Sequence, residues 1–190
     1  MATYFDQSLA QIKIFEGCVL WMYLDSRGNV TVGVGLMLPN AASACALAFL
    51  LAGAAASADQ IGDEFARVTA LAPNKLPAFY KSDSSPQLPQ DIIDAKLSGV
   101  LQGFEGTVRA GVPGYDALPD NVKLALLDMA YNLGPQKLLR EYPMMLQAVQ
   151  SGNWAQAATQ CARGGISATR NAWTRQQFLS AAAGLGPSQS

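Results

Sequence analysis

Between Gln90 and Arg109, the apolar residues Ile93, Leu97, Val100, Phe104 and Val108 recur at i, i+4, i+7, i+11 and i+15. This is the period of a long amphipathic helix, weakened but not broken by Gly99 and Gly103. A second run, Val122, Leu126, Met129 and Leu133, predicts a helix over 121–133 that Gly134-Pro135 stops. Further helices are expected near 143–151, 153–162 and 169–183. Another is expected at about 9–16, where Ser8-Leu9-Ala10-Gln11 has the form of a capping box and Gly17 marks the end. Strand-like alternation is confined to Val30–Gly35, behind the turn formers Asp25-Ser26-Arg27-Gly28-Asn29, and predicts one β-hairpin. There is no internal repeat. The expectation is a single, mainly α domain with one small hairpin, which suits 190 residues of which half are hydrophobic.

Two stretches fit that pattern less directly. Ala41–Ala58 is uncharged over 18 residues, the minimum length for a membrane span. Its alanines, with Ser43, Gly53 and Ser57, dilute it, so the expectation is a closely packed soluble helix capped near Asn40, not a membrane span. Pro73–Pro89 carries four prolines and a Ser/Asp cluster and reads as a loop or insertion. The first residues lack a basic segment followed by an apolar core, so no secretory signal is expected.

Composition narrows the chemistry. The chain has no histidine, which removes Ser-His and Cys-His pairs, His-ligated zinc and any imidazole base. Cys18, Cys45 and Cys161 are scattered and odd in number, so neither a disulfide framework nor a zinc ribbon is expected, and no metal or cofactor is called for. Residues 1–120 carry seven Lys/Arg against twelve Asp/Glu, a net of −5, and residues 121–190 six against two, a net of +4. The basic final third would suit an anionic polymer such as a cell wall; no basic run or aromatic interleaving points to nucleic acid.

Whatever catalysis there is must therefore come from carboxylates, hydroxyls, Lys, Arg or the backbone. Glu16 stands near a helix C-terminus, Asp25 nine residues later at the hairpin mouth, and Thr31 six further on along the strand. A chain that leaves a helix, turns and returns can bring these three to the walls of one cleft. Two carboxylates flanking a glycosidic bond are what its hydrolysis needs, one giving a proton to the leaving oxygen and the other acting on water or sugar. The partial negative charge of a helix C-terminus opposes a neighbouring anion, which makes Glu16 the protonated acid. Asp25, near turn amides, is the anion, and the Thr31 hydroxyl can hold a water.

Phe15-Glu16-Gly17, Tyr23-Leu24-Asp25, Gly28-Asn29-Val30-Thr31-Val32-Gly33-Val34-Gly35 and Ala130-Tyr131-Asn132-Leu133-Gly134 together resemble the phage-type lysozyme (endolysin, muramidase) family. The likeness runs on through 90–109, 121–133, Trp154–Ala158 and the Arg170 segment, covering nearly all of the chain except about 40–88. It implies an α+β, lysozyme-like fold of two lobes with the active cleft between them. The small hairpin lies in the N-terminal lobe (about 17–88), a connecting helix spans about 90–109, and the helical lobe comprises about 110–190 plus the N-terminal helix. It also implies cleavage of bacterial peptidoglycan between N-acetylmuramic acid and N-acetylglucosamine, with inversion. By position, Glu16 is then the general acid, and Asp25 and Thr31 orient the attacking water. Arg170 supports the acid, unless it is a solvated surface arginine. Met37, Tyr131, Asn132 and Gln160 contact the saccharide, Met37 and Tyr131 having core packing as the plain alternative.

The chain departs from the family in places. Leu36 stands where a histidine is common, and Ser98-Gly99 where that histidine's acidic partner would be. Asp128 replaces a neutral residue, and would either repel a negative charge on Glu16 or face solvent. The region 40–88 has no counterpart. The retained Asp25 and Thr31 favour hydrolysis over a lytic transglycosylase, and an intact triad argues against an inert glycan-binding module of a tail or secretion assembly. The resulting expectation is a monomer made in the cytoplasm that acts on the wall in the periplasm. It would serve as an endolysin, or as an antibacterial effector with an immunity protein or secretion-system partner.

Overall fold

Gly17 ends the first helix, and the 80 residues after it hold all the β-structure among the described residues. In the computed structural model, which describes residues 2–186, α1 runs over Tyr4–Glu16 and Gly17 takes φ +76°, a left-handed value that suits glycine. α1 starts earlier than the Ser8 box predicts. Thr3 Oγ1 accepts the Asp6 N–H at 3.2 Å while the Asp6 carboxylate accepts the Thr3 N–H at 3.0 Å, so the reciprocal cap belongs to that pair. Ser8 is buried within the helix, its hydroxyl donating to the Tyr4 carbonyl at 2.9 Å.

The protein is mainly helical α+β: among the described residues, nine α-helices and small antiparallel sheets. By internal packing it divides into two units, Glu16–Leu97 and Met1–Phe15 with Ser98–Ser190.

In the hairpin unit, β1 (Val19–Leu24), β2 (Val30–Gly33) and β3 (Leu36–Met37) form an antiparallel sheet in that order. The expected hairpin is there, extended by a two-residue third strand. Met22, Leu24, Val30 and Val32 are buried in it. Gly33, at φ +68°, lies so close to Ile93 that a Cβ would stand 3.1 Å from that side chain.

The single helix expected over 41–58 is not what forms. Asn40 caps a helix as predicted, accepting the Ser43 N–H at 2.9 Å, but that helix, α2, covers only Ala41–Cys45. Beyond it β4 (Leu50–Leu51) and β5 (Ala54–Ala55) make a tight hairpin turned by Ala52 (φ 50°) and Gly53 (φ 83°). The reason is tertiary: Phe49 is buried, and Leu50 exchanges backbone hydrogen bonds with Gln87 at 2.8 and 2.7 Å, outweighing alanine's helix preference.

The Pro-rich stretch is mostly loop as expected, with one 3₁₀ turn at Pro77–Tyr80. It is fixed to α3 (Ala58–Thr69) by a buried polar knot. Arg67 grips the Glu64 carboxylate with two hydrogen bonds of 2.7 and 2.8 Å, and Ser85 Oγ donates to Glu64 at 2.6 Å. No helix among the described residues is long and apolar enough to cross a membrane.

In the helical unit the core forms around α5 (Asp120–Leu133), buried continuously from Asn121 to Ala130. Val122, Leu126 and Met129 pack with Leu138, Met145, Val149 and Phe178. These come from α6 (Pro135–Glu141), α7 (Pro143–Gln150) and α9 (Ala168–Ala182); α8 is Trp154–Gln160. The long helix α4 (Gln90–Gly111) contributes Val108. α6 was not anticipated: Pro135, read as a stop, is also a favoured first helical residue.

Buried within this core, Asp128 accepts hydrogen bonds from Arg163 Nη2 (2.7 Å), Arg170 Nε (2.8 Å) and Thr174 Oγ1 (2.9 Å). Asp128→Ala would leave two buried guanidinium groups without their counter-charge and should lower unfolding stability by about 3–5 kcal/mol in urea titrations. In the β4–β5 turn, Ala52→Asn should raise the melting temperature slightly, because asparagine tolerates the left-handed conformation that alanine resists.

Candidate active site

The link between β1 and β2 is an Asx-type turn closed by Asp25. Its N–H donates to the Asn29 carbonyl at 2.9 Å, and its own carbonyl accepts the Gly28 N–H at 3.0 Å. Asp25 Oδ1 accepts the N–H groups of Arg27 and Asn29, both at 2.8 Å, and Oδ2 accepts the Asn29 side-chain amide at 3.1 Å. Partial burial works against ionisation of Asp25. The hydrogen bonds from Asn29 and Arg27, with the Arg27 charge, outweigh it and hold the carboxyl below its ordinary value. At neutral pH Asp25 is therefore an anion that can only accept hydrogen bonds.

Thr31 lies on β2, six residues on, with its side chain almost wholly buried. Its hydroxyl donates to the Asn29 carbonyl at 3.1 Å. Cross-strand register sets it between Tyr23 of β1 and Met37 of β3, three residues that share one face of the sheet. Met37 is 52% exposed, so it is a surface residue beside Thr31 and the core-packing alternative does not hold for it. Glu16 is the exposed last residue of α1. The phenol of Tyr23 is pushed up by burial and by the negative charges of Asp25 and Glu16, so both carboxylates act on the same ring. The hairpin unit thus gathers Asp25, Thr31 and Met37 on one turn and sheet face, with Glu16 and Asp25 both felt at Tyr23.

The remaining candidates lie in the helical unit. Tyr131 and Asn132 are half-buried in the last turn of α5, with the Tyr131 ring tilted against Phe104 at 6.2 Å. Gln160 is the exposed last residue of α8. Arg170 is not a surface arginine. It is buried, bonded to Asp128, and its guanidinium lies 5.0 Å from the centre of the Phe15 ring. Asp128 does not face solvent either, being the shared counter-ion of Arg163 and Arg170.

That pairing changes the meaning of the basic C-terminal third. Of its six cations, Arg163 and Arg170 are committed internally to Asp128, and Lys137 and Arg140 share Glu141. Lys123 is mostly buried against the Asp116 carbonyl and Asp120. Arg175 is exposed. Lys123, Arg163 and Arg170 are thus buried in the structure, while Lys137, Arg140 and Arg175 stay exposed. No group of three or more His, Cys, Asp or Glu among the described residues is arranged to hold a metal ion. The three cysteines are free thiols, Cys161 buried and the other two half-buried.

Two residues of the site were missed in the sequence. Asn29 was read only as a turn former, although Asp followed four residues later by Asn is the pattern that closes this turn. Tyr23 shows in the sequence only as part of the Tyr23-Leu24-Asp25 motif. A scan against known protein families finds no match to this chain, and no curated protein is similar enough in sequence to count as a relative.

The lowered Asp25 value fixes a pH dependence. Its hydrogen bonds contribute stability in full above the ordinary carboxylate range, and that contribution is lost as the pH falls through the depressed folded value. Denaturant titrations taken below about pH 4 should show the wild type losing more stability than Asp25→Asn, which has no such proton to take up.

Proposed function

We propose that this protein is a peptidoglycan hydrolase, cutting the β-1,4 bond between N-acetylmuramic acid and N-acetylglucosamine by direct displacement with inversion. The observation that carries the reading is the Asp25–Thr31 pair, an anion and a hydroxyl joined through Asn29 on one short hairpin. The shared action of Asp25 and Glu16 on Tyr23 supports it further. On this reading Glu16 gives its proton to the leaving glycosidic oxygen as the bond from that oxygen to the anomeric carbon breaks. A water held by Asp25 and Thr31 attacks the opposite face of the sugar, and its proton passes to Asp25.

Met37, exposed beside Thr31, offers an apolar surface to a sugar face. Tyr131, Asn132 and Gln160 are further saccharide contacts, and Arg170 supports the acid, all on the resemblance to phage-type lysozymes. The two lobes and intervening cleft of that family, action on the wall in the periplasm as an endolysin or antibacterial effector, and a monomeric state belong to the same proposal.

The test is reducing-end release from purified peptidoglycan by wild type and Glu16→Gln. The expected result is release by the wild type, reduced about 10²–10⁴-fold in the variant, as for loss of a general acid. No release by folded wild-type protein across several wall types would overturn the reading in favour of an inert glycan-binding module.

A further inference from the structure

Hydrogen-bond valence around Asn29 goes a step beyond naming the water-holding pair. A threonine hydroxyl has one proton to donate and lone pairs to accept with. The Thr31 proton is directed to the Asn29 carbonyl at 3.1 Å, so toward any other partner the Thr31 oxygen only accepts. Asp25 is likewise restricted to accepting. Its Oδ1 is occupied by two backbone N–H groups, and its Oδ2 is oriented by the Asn29 amide but takes a single bond from it. Asn29 is thus bonded to both residues, through its side chain and N–H to one and through its carbonyl to the other.

We propose that Asn29 is a positioning residue that makes Asp25 and Thr31 simultaneous acceptors for the attacking water. This rests on the hydrolase reading above. A water bonded to both must point one proton at Asp25 Oδ2 and the other at Thr31 Oγ1. Its lone pairs then face away from the protein, toward the anomeric carbon. As the oxygen–carbon bond forms, the proton already directed at Oδ2 passes to Asp25 and the other stays on the new hydroxyl group. A Thr31 that donated instead would occupy a lone pair of the water and weaken it as a nucleophile.

The charged and titratable groups around Asp25 are Arg27 in its own loop, and Tyr23 on β1, whose ring also feels Glu16. None of these is altered by changing the Asn29 side chain, so the effect of that change is readable at Asp25 itself.

The experiment is Asn29→Ala, followed first by carbon-detected NMR titration of the Asp25 carboxyl in the free protein. The Asp25 midpoint should move upward, because one hydrogen bond to its ionised form is lost. On soluble peptidoglycan fragments kcat should fall about tenfold with KM unchanged, since Asn29 acts through its bonds to Asp25 and Thr31. Asn29→Asp, which keeps the size but replaces the donor with an anion, should raise the midpoint further and serves if the alanine variant does not fold.

For the Thr31 arm, Thr31→Ser should keep kcat within about tenfold, and Thr31→Val, which has no acceptor, should lose it about 10²-fold or more. An Asp25 midpoint unchanged in both Asn29 variants, or a loss expressed in KM alone, overturns the proposal. A midpoint that rises in a protein that cleaves no wall polymer supports the Asn29–Asp25 linkage and overturns the hydrolase reading instead.

Discussion

The carboxylate of Asp25 closes the turn from which the hairpin unit's sheet grows. Two backbone N–H groups and one side-chain amide converge on it, and the strands on either side pair from there at Leu24–Val30 and Tyr23–Thr31 before a β-bulge shifts the register toward Val19. Structural and chemical roles meet in one group here. The bonds that make the turn also stabilise the anion, and they leave part of Oδ2 unoccupied.

The buried carboxylates of the chain are held by arginines instead. Asp128 is held by Arg163, Arg170 and Thr174, and Glu64 by Arg67 and Ser85. Glu105 is held by Arg109 with the hydroxyls of Tyr4 and Tyr115. Each joins an arginine to one or more hydroxyl donors, the arrangement that makes a buried anion tolerable. The Tyr4 phenol, partly buried and bonded to Glu105 at 2.5 Å, is pushed up to about 12, so it stays a donor at any ordinary pH. With these three acids committed to packing, Asp25, half-buried, and Glu16, exposed, stand apart as the carboxylates on which the proposed chemistry depends.

What the sequence disclosed follows from how local each determinant is. The long helix α4, the Gly17 stop, the Asn40 cap and the strand at Val30 rest on periodicity and backbone preference within a few residues, and these were legible. The break in the alanine stretch was not, since it depends on Leu50 pairing with Gln87, 37 positions away. Nor was the burial of Arg163, Arg170 and Asp128, because a charge in a sequence looks solvated until a partner from another helix is placed against it. For the site, Asp25 and Thr31 were visible as residue types at a spacing. Asn29, which joins them, was hidden among turn formers because its part is played largely by its backbone carbonyl and N–H.

The most direct test of the central claim is the anomeric configuration of the first product, read by proton NMR within minutes of adding enzyme to peptidoglycan fragments. A water held by Asp25 and Thr31 opposite the Glu16 proton donor predicts that the new reducing end appears first as the α-anomer and then mutarotates. A reducing end that appears first as the β-anomer, or a 1,6-anhydro sugar in its place, would contradict it, because neither product comes from water attacking the face opposite the leaving group.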